Sequence, residues 1–135
     1  MLIFSLMIAC DGGEMDMPES PCMEELRAST LEQGATFDGD TVSVRVETLS
    51  PATPVVGMNT WELAIPVSSS CSVDVVHTMP DHGHGGSLGG VESTSTGIWE
   101  VQDLEFTMGG YWEIDVEITC DDTVAVVPMA LCVDA

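Results

Sequence analysis

All three histidines of the chain fall in one stretch, HTMPDHGHGG, which runs from His77 to Gly86. Imidazole nitrogen suits copper, zinc and nickel, and thioether sulfur adds a preference for Cu(I). On a strand that ends at Met79, His77 and Met79 share a face because side chains alternate. His82 and His84 flank Gly83, whose backbone freedom lets the chain curl and aim both rings to one side. Another methionine, Met108 of FTMGG, closes a second strand-like segment. If the two corners adjoin, two thioethers and up to three imidazoles meet. Such a set holds Cu(I) through Met and His, or Cu(II) through His nitrogens. Asp81 or Asp74 could add a hard ligand, or an acceptor that orients a ring N–H. The expected ligands are therefore His82, His84, His77, Met79 and Met108, and the expected cofactor is copper. Coordination needs neutral imidazole, so binding should weaken as the pH falls through about 6.5, the ordinary value for histidine.

Each residue also has a purely structural use. His77 at a strand end can be a partly buried, hydrogen-bonded side chain, and Met79 and Met108 can plug the core. Pro80 with Asp81 can form a tight corner whose histidine rings bond neighbouring carbonyls. The alternative to a metal site is thus a non-catalytic structural or interaction module. No enzyme is expected. A dinuclear copper-zinc centre needs more imidazoles than three, and the one G-x-S-x-G match, Gly85 to Gly89, lies in the irregular stretch 80–97 and not at the strand-to-helix turn that a nucleophile elbow requires. The pairs Asp38/Asp40 and Asp121/Asp122 lack calcium-loop spacing and fit solvated hairpin ends.

The elements that must position these side chains read as strands. Val42, Val44 and Val46 alternate with polar residues in TVSVRVETL, as do Trp61, Leu63, Ile65 and Val67 in WELAIPV, and Trp112, Ile114, Val116 and Ile118 in YWEIDVEIT. CSVDVVHTM, IWEVQDLEF and TVAVVPMALCV add three more. Gly, Pro, Asn, Asp and Ser separate them. The pattern predicts an all-β domain, an immunoglobulin-like antiparallel β-sandwich of about seven strands. Pro66 and Pro128 point to edges or bulges, since proline gives no ladder donor. Pro21 and Gly34 frame a short helix at the start. Residues 80–97 form the longest irregular stretch, and loops of that length are commonly functional. Trp61, Trp99 and Trp112 are expected in the core and not as a sugar-stacking platform.

With 135 residues, 44% of them hydrophobic, the chain can build one core. Two basic residues against 23 acidic ones give a charge of −21, which repels a phosphate backbone and excludes nucleic acid as a partner. The opening MLIFSLMIAC is too short to span a bilayer and looks like the end of a secretion signal, truncated at residues 1–9. Met7-Ile8-Ala9-Cys10 resembles a lipobox, with Cys10 the lipidated residue. The acidic, Gly- and Pro-bearing segment that follows suits a flexible tether over residues 10–21, leaving the folded domain at 22–135. Cys22, Cys71, Cys120 and Cys132 then form an even set, read as two disulfides of an exported domain. Four cysteines allow three pairings. Their spacing matches no zinc ribbon or finger.

Three blocks in order, PVVGMNTW (Pro54 to Trp61), MPDHGHG (Met79 to Gly85) and FTMGGYW (Phe106 to Trp112), with Cys132 near the end, resemble the YtkA-like domain, grouped with FixH-like proteins. The likeness covers roughly Cys22 to Cys132. Gly109 departs from it, standing where that family tends to have proline, as does the extra pair Cys71 and Cys120. It implies a small exported β-sandwich, often a lipoprotein, with Cys22 paired to Cys132 and so Cys71 to Cys120. FixH-like members are linked to copper delivery. The expected protein is therefore lipid-anchored in the cell envelope, periplasmic or surface-exposed. Its partners would be the membrane, through the anchor, and a metal donor or acceptor protein.

Overall fold

The structure, a computed structural model, describes residues 20–134. Cys10 and most of the expected tether lie outside them. Nine strands follow one another: β1 (Thr36–Asp38), β2 (Ser43–Ser50), β3 (Gly57–Ala64), β4 (Ser72–Met79), β5 (His84–Gly85), β6 (Gly90–Ser95), β7 (Ile98–Phe106), β8 (Gly110–Cys120) and β9 (Thr123–Val133). One sheet has the order β1-β2-β3-β7-β6 and the other β5-β4-β8-β9, with antiparallel pairing throughout. β2-β3-β7-β6 facing β4-β8-β9 is the strand arrangement of an immunoglobulin-like sandwich.

All six strands expected from alternation are present. Inward positions of β4 and β8 (Val73, Val75, Ile114, Val116, Ile118) meet those of β2, β3 and β7 (Val44, Val46, Trp61, Leu63, Val101) in a single core. Trp61, Trp99 and Trp112 are all buried there. β1 and β5 are too short to show a period, and β6 is mostly exposed, so the stretch 80–97 is not irregular throughout. Pro66 follows β3, and Pro128 sits in β9, an edge strand whose outer face also exposes Val124 and Val126.

β7 changes parity along its length. Trp99 and Val101 point inward, and so do Leu104 and Phe106, because the register shifts opposite Asn59 and Trp61 and Asp103 adopts φ 50°. Such a bulge re-aims the strand beyond it. Here it brings Phe106 and the Glu105 carbonyl to the end of the sandwich that carries the histidines.

The expected helix between Pro21 and Gly34 does not form, and no helix occurs among the described residues. A short turn closes with Met23 N–H on Ser20 O and Glu25 N–H on Cys22 O. The chain is then drawn along β9 by the Cys22–Cys132 disulfide and by Ser29 N–H donating to Ala130 O at 2.9 Å. These long-range ties outweigh local helix signals worth only tenths of a kcal/mol per residue. The second disulfide, Cys71–Cys120, joins the start of β4 to the end of the neighbouring β8. Both pairings match those implied by the resemblance, and two disulfides fit a non-reducing, extracytoplasmic environment.

Candidate functional site

β4 stops at Met79 because Pro80 follows, and the chain reverses at once. The N–H groups of His82 and Gly83 both donate to Met79 O, at 3.1 and 2.8 Å. Gly83 takes φ +68°, a left-handed conformation that costs glycine little. β5 then returns beside β4 with His84 opposite Met79.

His77 faces the core, as its place in the Val73, Val75, His77, Met79 alternation requires. It is 5% exposed, stacked on Trp112 with ring centroids 5.6 Å apart, and edge-on to Phe106 at 5.8 Å. Its Nε2 donates to Glu105 O at 2.7 Å. Burial lowers the His77 pKa, an effect the carbonyl bond partly offsets, so the ring favours its neutral form. Gly85 and Gly86 pack directly on this residue. A Cβ at Gly86 would fall 2.0 Å from Glu105 O and 2.7 Å from His77 Nε2, and one at Gly85 would fall 2.7 Å from His77 O. Two glycines of the HGHGG run therefore serve close approach to the buried ring.

Met79 is 1% exposed, and its methyl carbon lies against Gly110, where an added Cβ would meet it at 2.7 Å. His82 and His84 are exposed, with ring centroids 5.8 Å apart. The edge of His84 also packs on Trp112 at 6.0 Å. Trp112 Nε1 donates to the Met108 backbone O at 3.0 Å, and the Met108 side chain is exposed. His77 and His84 thus pack on one indole, His82 lies beside His84, Met79 ends against Gly110, and Met108 meets the indole through its backbone carbonyl, all at one end of the sandwich. His82, His84 and Met108 reach solvent, whereas His77 and Met79 are enclosed.

Neither aspartate joins them as a free ligand. Asp74 lies further back on β4, where its Oδ1 accepts the Val75 N–H at 2.9 Å. Asp81 accepts two bonds from Arg27, Nη1 to Oδ1 at 3.0 Å and Nη2 to Oδ2 at 2.7 Å, and the guanidinium holds its pKa below the usual carboxylate range. Glu25 grips the same guanidinium, which lies 3.9 Å over the Tyr111 ring. Sequence reasoning missed Arg27. The one available signal was its rarity, as one of two basic residues in the chain.

Among the described residues no three His, Cys, Asp or Glu side chains are arranged to hold a metal ion. The side chains that could hold an ion here are the two exposed imidazoles, with thioether, solvent or a partner's donor to complete the set. Two nitrogens with a sulfur is a set that Cu(I) accepts.

No protein-family model, curated protein or solved structure matches this chain. The likeness to YtkA-like domains rests on the three sequence blocks alone. In the fold these blocks supply the β2–β3 connection, the histidine turn and the β7–β8 turn. Val55 at the first is bridged to Asp134, and Val133 pairs with Gly110 at the last, so they share one end of the molecule.

Proposed function

We propose that this is a lipid-anchored cell-envelope protein that binds copper at a solvent-facing site on His82 and His84, with Met108 as thioether donor, for storage, delivery or tolerance. The observation that carries it is the shared indole. His84 packs on Trp112, and the Met108 backbone carbonyl accepts the indole N–H, which brings an imidazole and the backbone of a methionine from separate segments to one corner. His77 stacks on Trp112 from the core side, and Met79 is enclosed beside Gly110. Two exposed imidazoles on a glycine turn have little packing purpose of their own. The Met7-Ile8-Ala9-Cys10 box and the YtkA-like blocks support the anchor and the envelope location. In this reading the protein is not an enzyme, and it exchanges its ion with a donor or acceptor protein.

Titration calorimetry with Cu(II), and with Cu(I) under a reductant too mild to open the disulfides, tests the proposal. Binding should disappear in a His82→Ala/His84→Ala variant. Copper at a hundredfold excess over its Kd should raise unfolding stability by about 2.7 kcal/mol. Equal binding by the variant removes the turn from consideration.

One observation favours a second reading, a structural or interaction module without metal. The glycines of the motif pack on buried His77, which gives the pattern a purpose independent of any ion. A thermal transition unmoved by copper, with a sharp loss of stability on replacing His82 or His84, decides for it.

A further inference from the structure

The strap formed by residues 20–34 touches the histidine turn at one point. Cys22 ties it to Cys132, and Ser29 N–H ties it to Ala130 O. Between these anchors the Arg27 guanidinium lies over Tyr111, the residue opposite Cys132, and extends to Asp81. Asp81 immediately precedes His82 in the sequence. Both of its oxygens accept from the fork of Arg27, a bidentate geometry that a single point charge does not reproduce. Left unbound, this carboxylate, one residue from His82, would be a hard oxygen donor available to a metal on that imidazole, a mixed set that favours Zn(II) or Cu(II).

We infer that Arg27 is a specificity-determining residue of the proposed site: by occupying both oxygens of Asp81 it withdraws the carboxylate next to His82 and leaves imidazole and thioether donors, which favour Cu(I) over Zn(II). The inference rests on the copper site proposed above and adds the reason for its softness. The disulfide fixes one end of the strap, and the guanidinium rests 3.9 Å from the centre of the Tyr111 ring. Glu25 completes the charge balance around Arg27, so Asp81 need not be shared with solvent cations.

The test measures Cu(I) affinity by competition against a colorimetric chelator, and Zn(II) affinity by calorimetry. It uses the unsubstituted protein, Arg27→Gln, Asp81→Asn and the Arg27→Gln/Asp81→Asn pair. Arg27→Gln should shift the ratio of affinities toward Zn(II) by about tenfold, the size expected when a partner of a metal ligand is lost. The double variant should restore the original ratio. Asp81→Asn alone should leave the ratio unchanged, because Asp81 is not a donor while Arg27 holds it, and it serves as control if Arg27→Gln folds poorly. Equal weakening of both metals by Arg27→Gln, or a shift that Asp81→Asn does not reverse, overturns the inference and reduces Arg27 to a structural tie. Cu(I) binding that needs His82 and His84 but shows an unmoved ratio overturns this inference alone. Absence of Cu(I) binding by the unsubstituted protein overturns the proposed function and this inference with it.

Discussion

His77 and Met79 on one side, and His82 and His84 on the other, come from the same short motif and meet opposite fates. The first pair continues the inward phase of β4 and is sealed by Phe106, Trp112, Gly86 and Gly110. The second pair lies beyond the reversal at Pro80, where no sheet imposes a phase, and stays in water. Residue type alone did not separate them. Position relative to the end of a strand did, and it divides the motif into a half that builds the corner and a half free to use it.

That division can be tested by stability. Trp112→Ala should give the largest effect, about 3–5 kcal/mol in denaturant unfolding, since it removes the fully buried indole on which both halves rest. A loss under about 1 kcal/mol would mean that the corner is not part of the core. Next come the glycines. Gly86→Ala must push Glu105 O and His77 apart and should cost roughly 2–3 kcal/mol by overpacking. Gly83→Ala meets open space and carries only the left-handed penalty of about 1–2 kcal/mol. Thermal melts of the two variants rank them, and a reversed order would place the constraint in the turn instead of under it.

A smaller effect concerns pH. Burial lowers the His77 pKa, so between the folded and unfolded values the unfolded chain takes up a proton that the folded chain refuses. Stability from this group is therefore present above about 6.5, the unfolded histidine value, and declines as the pH falls below it. In chelator-treated protein, His77→Gln should flatten that slope. A slope that persists unchanged would assign the titration elsewhere. The smallest effect is expected at the surface. His82→Ala or His84→Ala should alter metal-free stability by no more than about 0.5 kcal/mol, while removing the copper-dependent stabilisation.

Much of the fold was legible because period-two alternation marks strands with one buried face, as in Val73, Val75, His77 and Met79. The same alternation put His77 and Met79 on one face, and the structure shows that this face is the inner one. β6 escaped notice because GVESTS at a sheet edge buries little, and β5 because two residues have no period. The helix expected after Pro21 failed because caps and breakers are local signals, whereas the Cys22–Cys132 bond spans 110 residues. The tie between Arg27 and Asp81, 54 residues apart, has no local signature either. Convergence of Met108 on the histidine corner depended on strand order, which periodicity does not encode.

Both cations of the chain are spent internally, Arg27 on Glu25 and Asp81 and Arg45 on Glu47, while β9 leaves an edge with bare valines. The segment tied to Ala130 and Cys132 covers part of that edge, and repulsion from the chain's net charge of −21 opposes pairing of the rest with a neighbour. Acidification toward the isoelectric point near 4.1 switches the guard off. An acidic milieu, where that charge is neutralised, is where self-association through the remaining β9 edge is expected to begin.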